Sequence, residues 1–366
     1  MINFRYHVVS IVAVFLALAI GLVLGATELQ GASINLLTKT SNSLHNDLDA
    51  ARAQNGALSA QVAAQESFVQ DDEARLLGGL LTGQRVVVVA APGAPGAVVN
   101  GVTTAVQQAG ASVTGQVNLQ PKLLDASQSN QSFLSQLVTQ LVEPDGTAPG
   151  GTPLQQAAQL LGGAILTKTD PSGTTGGGTS SGTGTGTTGD STSTRQSVLS
   201  SYAQGGLLSV SGPLSSSQAP VAATLAIVVI PATLPPGGDN DPANLGLVTL
   251  AQEFDTAGLG TVMAGSITGS VGGSAINALR SSSASGQIST VDDADTVFGQ
   301  ITTVQALQQA LTGHKSGSYG EDPGASAVAP DPAPTPASTP STTAKTTGGK
   351  TQTHRHTGGS KSGGRA

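Results

Sequence analysis

The chain has 366 residues, a formal net charge of -7, only 10% charged and 2% aromatic residues, 49 glycines and no cysteine. Net negative charge argues against a nucleic-acid partner, and the missing cysteine removes disulfide scaffolding, thiol catalysis and thiolate metal ligation. With so few aromatic residues and so much glycine, segments that build a core must alternate with segments that cannot.

The first element is an uncharged run from Val8 to Ala26, VVSIVAVFLALAIGLVLGA. At 1.5 Å per residue it spans about 28 Å, close to the hydrocarbon thickness of a bilayer. Arg5 and His7 precede it, Phe4 and Tyr6 sit at its edge, and no Lys or Arg follows before Lys39. Positive charge on the short N-terminal side places residues 1–7 in the cytoplasm and exports the rest. A retained anchor and a cleaved signal peptide both fit this pattern, and Val23-Leu24-Gly25 is a passable cleavage tripeptide.

Residues 34–77 contain no proline and a single glycine, Gly56. Leu44, Leu48, Ala51, Asn55, Leu58, Val62, Gln65, Val69, Asp72 and Leu76 step alternately by four and three, which is a heptad seam. A polar Asn55 on such a seam fixes register at some cost in stability. Two outcomes fit: a stalk that pairs with a second copy, or one amphipathic helix folded back on the domain that follows.

From Arg85 onward the pattern changes to strands alternating with helices. Arg85 to Ala91 is a β-branched run ended by the Pro92–Gly96 loop; helical spacing follows through Val98, Val102, Ala105 and Val106, and Ala111 to Val117 reads as the next strand. Further strands are expected at 164–167, 207–210, 225–230, 261–264 and 287–291. Helices are expected at 132–142, 154–161, 245–257, 274–279 and 303–311. This alternation predicts a doubly wound parallel sheet of the Rossmann-like or flavodoxin-like kind.

The expected plan is therefore a cytoplasmic N-terminus over 1–7, a transmembrane helix over 8–26 and a coiled-coil stalk over 27–77. An α/β domain follows over 85–321, interrupted by a disordered Gly/Ser/Thr insertion over 170–195. A disordered Pro/Thr-rich, then Gly/Lys-rich tail covers 324–366. The tail carries Lys345, Lys350, Arg355, Lys361 and Arg365 and no acid after Asp331, so anionic lipid or wall polymer could attract it.

Two motifs fail on context. Gly184 to Gly189 spells the dinucleotide fingerprint and Gly178 to Gly182 the nucleophile elbow, but both lie in the insertion, away from any strand-to-helix turn. The Pro92–Gly96 loop is better placed, before a helix N-terminus, although it lacks the Lys and Ser/Thr of a phosphate-binding loop. Five histidines, His7, His45, His314, His354 and His356, form no spaced ligand set beyond the tail pair. Met1 and Met263 are the only thioethers, too few for the soft ligands that Cu(I) prefers. Asp292, Asp293 and Asp295 read as a turn after a strand. No catalytic residue and no cofactor-binding residue is assigned, and the metal ligands are unknown, so an enzyme is not expected.

The opening Phe4-Arg5-Tyr6-His7-Val8-Val9-Ser10, with Ala13 to Ala19 and Gly21 to Gly25, closely resembles the start of the mycobacterial copper transport protein B family of actinobacteria. Members also carry a coiled coil, a strand and loop like Val86 to Gly96, and a Val/Asp-rich strand, a helix and a Gly-x-Tyr-Gly close. Ser289 to Asp295, Thr303 to Leu311 and Ser318-Tyr319-Gly320 correspond to these, so the resemblance covers about residues 1–321. It implies a membrane protein of copper homeostasis, with copper as the transported ion and an outer-membrane channel as the proposed mechanism. The expected partners are a membrane, copper and a second copy of the chain. The alternative is a non-catalytic envelope scaffold or interaction protein with an exported α/β head.

Overall fold

The computed structural model describes residues 4–142, 149–169, 190–215, 221–231, 238–266, 273–313 and 316–331, with side chains of 26–36 and 190–191 left aside. The tempting glycine motifs, His314, the tail histidines and the tail's basic residues lie outside these.

A single helix, α1 (Phe4–Leu77), joins the apolar run to the heptad region without a break. Its stretch Phe4–Gly25 is long and apolar enough to cross a membrane, and nothing in the fold covers it. From Gly25 to Leu77 the helix continues for about 80 Å at the usual rise. Seam residues Leu44, Leu48, Leu58 and Val62 are exposed, whereas Glu73 and Leu77 are buried. The stalk thus docks only its last turns on the domain, where Leu77 and Leu81 join the core.

The domain is mixed α/β, with a parallel-dominated sheet. Its elements are β1 (Arg85–Ala90), α2 (Gly96–Gln108), β2 (Ser112–Leu119), α3 (Pro121–Leu124), α4 (Gln128–Leu141), α5 (Pro153–Ile165) and α6 (Asp190–Gln204). They continue with β3 (Leu208–Ser211), β4 (Leu225–Val229), α7 (Pro242–Ala257), β5 (Gly260–Ala264), α8 (Ala275–Arg280), β6 (Ser289–Val291), α9 (Val297–Leu311) and β7 (Ser318–Tyr319). The strand order is β3-β2-β1-β4-β5-β6-β7. Every neighbouring pair is parallel except β2 with β3.

Why the central strands read as unbroken apolar runs is visible in the side chains. Val87, Val89, Ala226, Val228 and Met263 point into one core with α3 to α8. Val86, Val88, Leu225, Ile227 and Val262 point into the other, with α2, α9 and the end of α1. Period-two alternation thus buries both sets, because helices cover both faces.

Helix starts follow local capping. Thr152 and Gln155 form a reciprocal capping box at α5, with Pro153 in the first turn. Asp241 caps α7 through the Ala243 N–H, and Thr296 caps α9 through the Gly299 N–H. These caps start α7 and α9 several residues earlier than the apolar spacing indicated.

Two expectations change. The strand expected at 164–167 is mostly helix: α5 runs to Ile165, since Leu161, Ala164 and Ile165 continue the face begun by Ala157 and Ala158. Only Leu166 makes an isolated parallel bridge, to Ala223. The insertion's expected end at residue 195 falls inside α6, whose Val198, Leu199 and Tyr202 are buried.

Candidate functional site

The parallel strands deliver their C-terminal ends to one edge of the sheet, the usual place for ligands in this architecture. The Pro92–Gly96 loop closes there with an Ala94 N–H to Ala91 O bond of 3.0 Å. Gly93 stands at φ +82°, with Pro231 against the place a Cβ would take. Pro95 precedes α2 without a side-chain cap. The loop is thus a built turn over the β1 and β4 ends, and it brings no charged side chain to them.

Charge enters at the end of β6. Asp292 is fully buried and Asp293 is 1% exposed. Arg280 Nη2 donates to Asp292 Oδ2 at 2.7 Å, and Nη1 to Asp322 Oδ2 at 3.2 Å. Arg280 Nε reaches Thr290 Oγ1 at 3.0 Å, and Nη2 also reaches the Tyr319 carbonyl at 3.1 Å. Asp292 Oδ1 accepts from the Glu321 and Asp322 N–H groups at 2.9 and 3.3 Å. Both oxygens of Asp292 are thereby occupied, and α8, β6, β7 and the turn after β7 are tied to one guanidinium. A desolvated carboxylate needs such a set of donors.

The Gly-x-Tyr-Gly close owes its glycines to this cluster. Gly320 has φ +126°, and a Cβ there would run into the Asp292 carboxylate. A Cβ at Gly317 would strike the Tyr319 ring, whose hydroxyl donates to Gln309 Oε1 at 2.7 Å.

Asp293 behaves differently. Neither carboxylate oxygen has a hydrogen-bond partner in another residue. Burial, reinforced by the negative charge of Asp292, pushes its pKa up to about 7; Glu321 and Asp295 raise it further and its own backbone N–H partly offsets them. Its carbonyl accepts the Thr296 N–H at 2.9 Å and closes a turn, so that part of the turn expectation holds. The buried Ser266, just beyond β5, also has an unpartnered Oγ. The Ala294 N–H to Gly265 O bond of 2.7 Å brings the two segments together.

Of the other residues singled out, His7 and His45 are exposed on α1 and lie far apart along it. Met263 is buried within β5, in the core under α7. No group of three or more His, Cys, Asp or Glu with metal-holding geometry occurs among the described residues. The role of Arg280 was missed: a lone arginine at the end of a short helix gives no sequence signal that it serves a carboxylate on another strand.

Fold and site define a protein whose N-terminal helix can span a membrane and whose long stalk leads to a helix-covered α/β head with a buried charge cluster. Residues 1–330 match the family model described as copper transport outer membrane protein, MctB. The chain is 30% identical over 344 residues to the copper transporter MctB of Mycobacterium tuberculosis (strain ATCC 25618 / H37Rv), covering 90% of this chain and 99% of that protein. It is 29% identical over 339 residues to that of Mycobacterium leprae (strain TN), with the same coverage. The chain belongs to the MctB family.

Proposed function

We propose that the chain is a membrane-anchored envelope protein of copper homeostasis that supports copper efflux as a homo-oligomer. The observation that carries this reading is the family match over residues 1–330. We read Phe4–Gly25 as a retained anchor and the strand order as doubly wound, of the flavodoxin-like kind.

The fold limits how copper could move. The sheet has helices on both faces, so it is not a lipid-facing wall. Among the described residues one helix is apolar enough to span a membrane, and a single span cannot enclose a path, so conduction through these spans requires several copies. The stalk supplies a means of assembly: Leu44, Leu48, Leu58 and Val62 present an apolar stripe at heptad spacing, and Asn55 sets its register. Buried donors at the head's ligand edge are hard oxygens, which suit Cu(I) poorly. The head therefore acts in assembly or partner binding, and the copper path lies with the assembled spans.

The test is copper flux into liposomes carrying the full-length protein, with an anchor-deleted chain as control. Flux that needs the full chain supports transport. Absent flux, combined with unchanged cell-associated copper when the gene is lost, overturns the copper role. An anchored interaction protein would then remain, a reading favoured by the exposed stalk seam.

A further inference from the structure

The stalk leaves one face of α1 open. Every residue from 37 to 65 is exposed, and the backbone is helical throughout. Leu48, Asn55 and Val62 take the a positions of the heptad seam, and Leu44, Ala51 and Leu58 the d positions; Leu37 carries the d column one heptad further back. About four heptads are thus open, enough for a coiled coil.

Charge on the flanks of this seam is sparse and specific. The e position follows d, and the g position precedes a. Over 37–65 these flanks carry one acid, Asp47 at g, and one Lys or Arg, Arg52 at e of the next heptad. Asp47 belongs to no ion pair among the described residues. Arg52 reaches Asp49 of its own helix at 3.4 Å, with both side chains largely exposed, which is a weak contact.

Copies anchored through Phe4–Gly25 enter one bilayer in the same sense and at the same depth. The helix is unbroken from span to stalk, so the stalks run parallel and in register. In that arrangement a g residue faces the e residue of the next heptad on the other helix. Asp47 then faces the partner's Arg52, and symmetry repeats the pair on the other flank. Asn55 meets the partner's Asn55, amide to amide. A slip of one heptad sets Asn55 against the partner's Leu48 or Val62 and moves Asp47 to the partner's His45 or Ser59, so both matches are lost.

The open seam also has an end. Val69, the next a position, packs against the core of its own head, and Glu73, the e position that follows, is buried. Leu77 completes this stripe in the same core. From Val69 onward the head therefore covers a side of the helix that a second stalk would need.

We propose that neighbouring copies pair over residues 37–65 as a parallel, in-register coiled coil, pinned by Asn55 on the partner's Asn55 and by Asp47 on the partner's Arg52, and that pairing stops before Val69. This rests on the anchored homo-oligomer reading above and names its interface.

The experiment uses the full-length protein in detergent, with self-association read by light scattering. Asp47→Arg sets like charges together on both flanks and should weaken association about tenfold at low ionic strength, and less in high salt. Mixed with Arg52→Asp, it should form heteromers in preference to either homomer, because each flank then joins an arginine to an aspartate. The chain has no cysteine, so single substitutions report contacts directly. Under oxidation Val62→Cys should link two copies and Val69→Cys, one heptad on, should not. Association and Val62→Cys linkage without any effect of the charge reversals, or without heteromer preference, overturn the proposed register. Linkage of Val69→Cys as complete as that of Val62→Cys overturns the proposed end. A monomer with no linkage at either position overturns the homo-oligomer reading itself, and linkage of Val62→Cys in membranes to a different protein gives the seam to that partner and overturns both.

Discussion

Arg280 and Asp292 meet at 2.7 Å with side-chain exposures of 8% and 0%, and the same guanidinium holds Asp322 at 3.2 Å. Three segments distant in sequence are thus fastened at one buried point. Removing one partner strands the other charge away from water. Arg280→Met and Asp292→Leu should each lose about 3–5 kcal/mol by chemical denaturation of the full-length protein in detergent. The double substitution should lose less than the sum of the two, since neither Arg280 nor Asp292 then remains to be orphaned and only Asp322 loses its partner.

Gly320→Ala should be destabilising by at least about 1–3 kcal/mol, because the left-handed backbone and the Asp292 carboxylate both oppose a Cβ there. Gly286→Ala serves as the comparison, since nothing lies within 4 Å of its Cβ position. Equal Tm values for the two variants would contradict the packing at the close of the domain.

Asp293 gives a pH dependence of definite sign. Its folded pKa, about 7, lies above the ordinary carboxylate value of 3.8. Between those values the native state holds a proton that the unfolded chain has released, so stability falls as pH rises through this window. The protein should unfold at a higher temperature at pH 5.5 than at pH 8. Asp293→Asn should flatten that difference and raise Tm at pH 8, because the amide carries no charge to desolvate. A slope that persists in Asp293→Asn would assign it to other groups.

The stalk seam predicts an assembly defect separable from folding. Leu48→Lys combined with Leu58→Lys should weaken self-association by at least about tenfold, read by light scattering of the full-length protein in detergent. The head's unfolding transition should not move, since both positions are exposed along the stalk. Ala51→Cys, on the same seam, should form an intermolecular disulfide in the wild-type background but not in the double-lysine one.

Much of this molecule was legible from local rules. Val8 to Ala26 is long and uncharged enough for a span, and β-branched runs such as Val86 to Val89 can only be strands buried on both faces. Sequence patterns also located the main helices of the head. They failed where tertiary context overrode composition. Helix α6 is rich in Ser and Thr, and its signal was confined to Val198, Leu199 and Tyr202. The two-residue β7 exists only because β6 offers it a ladder.

By itself the sequence determined the apolar N-terminal helix, the heptad stripe and the alternation of strands and helices, because each is a periodicity within one segment. Only the tertiary structure decided that β1 lies between β2 and β4, and that Arg280 neutralises Asp292 while the Asp293 carboxylate beside it has no partner in another residue. Those outcomes depend on which side chains are removed from water together. Desolvation and charge pairing act between residues far apart in the chain, where spacing carries no information.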